Sequence, residues 1–71
     1  MKSFDSSVIA GAAYDSAKQS LTVALKAGGG IHAYTYHGVP AGVAEGLFTS
    51  DSAGGYFVRN IRNRFPFARM G

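Results

Sequence analysis

Four arginines near the C-terminus, Arg59, Arg62, Arg64 and Arg69, are the side chains best equipped to hold a partner. A guanidinium bonds a phosphate or a carboxylate through two parallel N–H donors. No acid follows Asp51, so residues 52–71 carry a net charge of +4. Residues 1–51 set three lysines against four acids, for a net charge of −1. Such asymmetry is the footprint of a polyanion, or of an acidic protein surface, as partner. Ser52, Gly54 and Gly55 stand just ahead of the arginines, where a helix is predicted to begin. The free amides of a helix start make a candidate anion site there, beside the simpler role of Asp51 or Ser52 as helix cap. Tyr34, Tyr36 and Tyr56 offer rings that would stack on bases if exposed. Tyr34 and Tyr36, two apart on a strand, fit equally well a core packed beneath helices, which a chain this short needs.

Other chemistries lack their parts. The chain has no cysteine, so it has no thiol nucleophile, thiolate metal site or disulfide. His32 and His37 lie five apart on a predicted strand and face opposite sides, and the four carboxylates are scattered. No metal site is expected. The serines fall where turns and caps use hydroxyls, and no Ser-His-Asp spacing is evident. Gly28-Gly29-Gly30 lacks the following Lys-Ser/Thr and precedes a strand, so it reads as a hairpin turn and not a phosphate loop. The chain is expected to be non-enzymatic, with no cofactor.

These groups must be positioned by a small α+β domain. Residues 8–14 form an apolar run too short and too Gly-broken for a helix. Residues 21–26 alternate, with Leu21, Val23 and Leu25 on one side. Residues 31–37 are aromatic and β-branched, with His32, Tyr34 and Tyr36 on one face. Tight turns between them make a three-stranded antiparallel meander. Pro40 suits a first helical position, so a short helix is predicted over 40–48, with Val43, Leu47 and Phe48 inward. A second helix is predicted over 53–63, with Phe57 and Ile61 as its core stripe, Ala53 above and Phe65 below. Arg59, Arg62 and Asn63 fall away from that stripe. Pro66 makes the tail extended. The predicted architecture is thus a three-stranded meander, two short helices and an extended C-terminal tail.

Seventy-one residues make one domain of modest core and marginal stability. Formation of a homo-oligomer is one way to offset that. No apolar run spans a bilayer or resembles a signal peptide, so a cytoplasmic protein with no membrane partner is expected.

Several stretches resemble the KTSC domain family, named after the C-terminal region of some lysyl-tRNA synthetases and also found as a stand-alone domain in bacteria and phages. They are S-S-V-I-A-G-A-A-Y-D from Ser6, L-T-V-A-L from Leu21, G-G-G-I-H-A-Y-T-Y-H-G-V-P from Gly28 and S-A-G-G-Y-F-V-R-N-I-R-N-R-F-P-F from Ser52. The family's central Y-x-Y and V-P match Tyr34, Tyr36, Val39 and Pro40. Its C-terminal signature matches Ser52, Gly54, Tyr56, Phe57, Ile61 and Arg62. The resemblance covers residues 6–69. It implies a compact domain of this length that binds RNA, and it brings over no catalytic residues. This chain departs from the pattern at Ala53, where a basic residue is usual, and at Phe65 and Phe67, where tyrosines are usual.

The expected function is a binding module for RNA or another nucleic acid. Arg59, Arg62, Arg64 and Arg69 would hold phosphates, with Tyr34, Tyr36 or Tyr56 for bases. The alternative is a protein-interaction module, such as a phage-type regulator docked on an acidic patch of a host nucleic-acid machine, for example RNA polymerase. Phe65 and Phe67 would then be the apolar anchors.

Overall fold

The computed structural model describes residues 2–3 and 8–69. The elements are β1 (Lys2–Ser3), β2 (Ile9–Asp15), β3 (Ser20–Ala27), β4 (Gly30–Tyr36), α1 (Ala41–Thr49), α2 (Ala53–Asn60) and β5 (Phe67–Arg69). They form one antiparallel sheet in the order β1-β2-β3-β4-β5. The expected meander is β2 to β4. The expected extended tail has a sharper form, because it returns after the helices to pair with β4.

Local chemistry sets each connection. Between β2 and β3, Asp15 Oδ1 accepts the amides of Ala17 (3.0 Å) and Lys18 (3.3 Å), so the carboxylate closes the turn. Between β3 and β4, Gly28 and Gly29 take φ of 57° and 79°, the left-handed geometry of a tight hairpin turn. A bulge at Ala10 shifts the β2 register between Ile9 and Gly11. The bulge lets both Ile9 and Ala12 point to the buried face, although they are three residues apart.

That face pairs Leu21 with Tyr36, Val23 with Tyr34 and Leu25 with His32. Both helices pack against it. Ile9, Ala12, Leu21, Val23 and Tyr36 of the sheet join Ala44, Leu47, Ala53, Phe57 and Ile61 in a single core. On the other face, the hydroxyls of Thr22 and Thr35 meet across the strands at 3.1 Å.

Val39 fixes where the chain leaves the sheet. Its side chain is fully buried. Its amide donates to Gln19 O (2.9 Å), and its carbonyl accepts the Tyr14 hydroxyl (2.6 Å). Pro40 follows as the cap residue, one position earlier than expected, and its carbonyl takes the amides of Val43 and Ala44. The helices meet through Tyr56. Its hydroxyl donates to Val43 O (2.9 Å), and its ring lies over Gly46, where a Cβ would overlap it. Among the described residues no helix is long and apolar enough to cross a membrane.

Candidate functional site

The arginines stand on α2, the turn after it and β5. Phe57 pins α2 to the sheet, its ring edge-on to Tyr36 at 5.5 Å and 79°. The helix ends at Asn60, three residues short of the expected Asn63. The amides of Ile61 and Arg62 both donate to Phe57 O, and Arg64 N donates to Ile61 O, which tightens the chain into a turn. Ile61 stays in the core at this turn. Arg59, Arg62 and Arg64 are all exposed.

The start of α2 differs from the expected cap. Ser52 holds the N-cap position but makes no side-chain cap hydrogen bond. The hydroxyl that acts here is that of Ser50, which accepts the Ser52 amide at 3.1 Å. Short hydroxyl side chains satisfy local amides in several geometries, and spacing alone does not choose among them. Beside it, a Cβ on Gly55 would lie 3.1 Å from Ser52 Oγ and 3.6 Å from an Arg59 guanidinium nitrogen. The bare Gly55 therefore leaves open the space that the serine hydroxyl and the arginine both border at the first turn. Gly54 and Gly55 are half-buried there.

A second group forms where β5 joins β4. Tyr34 pairs with Arg69 and Tyr36 with Phe67. The Phe67 ring sits edge-on to Tyr34 at 5.5 Å and tilted on Tyr36 at 5.3 Å. An Arg69 Nη lies 2.9 Å from His32 Nδ1, a contact in which the guanidinium donates to the neutral imidazole. Tyr34 and Tyr36 thus gather around Phe67 with Arg69 two residues along the same strand, while Arg59, Ser52 and Gly55 lie at the α2 start. Tyr56 belongs to the contact between the helices.

The KTSC domain family model matches residues 5–65. The chain belongs to the KTSC domain family. A crystal structure of a KTSC domain protein from Yersinia pestis superposes with a TM-score of 0.89 at 26% identity, over 99% of this chain and 94% of that one. Comparison with curated proteins gave no match.

In this KTSC domain the three tyrosines have different surroundings. Tyr36 is 3% exposed, so its ring faces are taken by packing. Burial raises its pKa above 10.0, with the Arg62 charge pulling the other way and Tyr34 adding to the rise. Tyr34 and Tyr56 are half-buried against the core. Phe67, by contrast, is 54% exposed. From the sequence alone Phe67 is only an anchor toward a protein. The signal it lacked was the β4–β5 register, which sets the ring against the two tyrosines.

Proposed function

We propose that this KTSC domain is a non-enzymatic module that binds RNA or another nucleic acid through α2, the turn after it and β5. The observation that carries the reading is the exposure of all four arginines in a segment without a carboxylate after Asp51. Four cations with no internal acid among them present a field that attracts phosphates and slows none of their approach. Among the described residues, no ion pair or hydrogen bond engages the guanidinium of Arg59, Arg62 or Arg64. Arg59 and the Ser52 hydroxyl both border the space over Gly55, where the hydroxyl would add a donor for a phosphate oxygen.

The test is the salt dependence of binding to a fluorescent single-stranded RNA. Affinity should fall steeply as salt rises, and each of Arg59→Ala, Arg62→Ala and Arg64→Ala should reduce the slope by about 1. An affinity indifferent to salt and to all three substitutions refutes the reading. The exposed Phe67 ring also favours a second reading, in which the basic surface meets an acidic protein and Phe67 anchors it. Capture from lysate with nuclease treatment separates them. A protein retained after nuclease supports the second reading, and loss of every partner supports the first.

A further inference from the structure

Phe67 is a large apolar side chain left over half exposed on a three-residue strand. Its ring is not loose. Tyr34 and Tyr36 brace it from the sheet at 5.5 Å and 5.3 Å. On the same side of β5, two residues on, comes Arg69, whose guanidinium is placed by His32. Arg62 is near enough to Tyr36 for its charge to act on that hydroxyl. The result is a pre-set aromatic surface with the Arg69 cation beside it.

We propose that Phe67 is a stacking platform for an unpaired base of a single-stranded nucleic acid, with Arg69 beside it for an adjoining phosphate. The inference rests on the nucleic-acid reading above and adds a strand preference to it. Charge decides the occupant. A nucleotide presents a π face and an anion one backbone unit apart, whereas an acidic protein must bring its carboxylate and its apolar side chain from separate residues. Duplex bases have both faces covered by their neighbours, so only an unpaired base can lie on the ring. Stacking is tolerant of base identity, so the preference is for single strands and not for a sequence.

The chain has no tryptophan, so Phe67→Trp introduces a lone indole as reporter, and Phe67→Leu keeps apolar bulk without a π face. Binding of a short uridine oligonucleotide is compared with that of its duplex with the adenine strand, and a thymidine oligonucleotide tests the sugar. The wild type should prefer the single strand. Phe67→Trp should bind as tightly and lose fluorescence on binding. Phe67→Leu, folded by circular dichroism, should bind the single strand about fivefold or more weakly and the duplex unchanged. If Phe67→Leu binds like the wild type while Arg62→Ala remains weakened, the stacking inference fails and the nucleic-acid reading stands. Equal weakening for single strand and duplex also overturns it. A change in Phe67→Trp fluorescence with protein concentration alone would seat the ring against a second copy, and overturn it too. If the wild type binds no oligonucleotide, the underlying reading falls first.

Discussion

Gly42 and Gly46 occupy one face of α1, a turn apart, and the same substitution should move them in opposite directions. A glycine inside a helix costs about 1 kcal/mol relative to alanine. At Gly42 nothing lies within 4 Å of where a Cβ would be. Gly42→Ala should therefore stabilise the domain by about 0.5–1 kcal/mol. At Gly46 the added Cβ would be 2.6 Å from Tyr56 Cζ and 2.9 Å from Cε2. The ring must swing away, and with it goes the hydroxyl bond to Val43 O. Loss of that bond costs about 1 kcal/mol, and displacing a half-buried ring costs at least about 1 kcal/mol more. Set against the helix gain of about 1 kcal/mol, Gly46→Ala should lose about 1 kcal/mol. The two variants then differ by about 2 kcal/mol, or roughly 8–16 °C in midpoint at about 4–8 °C per kcal/mol for a domain of this size. Thermal unfolding followed by circular dichroism reads this directly. In a Tyr56→Ala background the obstruction is gone, and Gly46→Ala should become as stabilising as Gly42→Ala. Equal midpoints for Gly42→Ala and Gly46→Ala in the natural background would refute the packing argument.

Tyr36 makes stability depend on alkaline pH. Burial keeps it neutral in the folded domain to a higher pH than in the unfolded chain. The unfolded chain therefore ionises first, and stability should decline as pH climbs past 10.0 and through the raised folded value. Tyr36→Phe should flatten this decline in alkaline denaturant melts. Arg62→Ala should push the Tyr36 pKa higher, seen by tyrosinate absorbance against the Tyr36→Phe variant. Tyr14→Phe removes the donor to Val39 O and should cost about 1 kcal/mol in urea unfolding, without changing oligonucleotide affinity. Asp15→Ala opens the turn held by two exposed amides and should cost about 0.5 kcal/mol, while Asp15→Asn should retain most of the stability.

The elements were legible where periodicity and turn chemistry act over a few residues. Leu21, Val23 and Leu25 alternate, two glycines close the following hairpin, and Phe57 with Ile61 mark the inward stripe of α2. All of these hold in the fold. What escaped the sequence depends on partners far along the chain. A three-residue strand after a proline carries no periodicity, and its pairing is favoured only because β4 already offers an edge. The end of α2 at Asn60 follows from Ile61 turning back into the core, which helix propensity cannot report. Ser52 is the N-cap residue, as one of the two expected, but its hydroxyl makes no cap bond; Ser50, Asp51 and Ser52 are chemically similar, and only the backbone geometry turns the Ser50 hydroxyl to the Ser52 amide.

The same dependence on distant pairing separates the arginines from the rings. Charge was visible in the sequence because it needs no geometry, and the exposure of Arg59, Arg62, Arg64 and Arg69 follows from their cost of burial. An aromatic ring carries no such rule. Tyr36 and Phe67 lie directly opposite one another in the sheet, yet one is 3% exposed and the other 54%. The difference is set by α2, whose Phe57 covers Tyr36. Phe67 lies on the outermost described strand, beyond Tyr36, and rests its ring on the two tyrosines. A ring at that position is firm from below and open from above, which is what a stacking surface requires and a core ring cannot offer. The hydroxyl missing from Phe67 costs a hydrogen bond to a base or sugar but leaves the π face intact. The departure from the family pattern at this position is thus compatible with stacking.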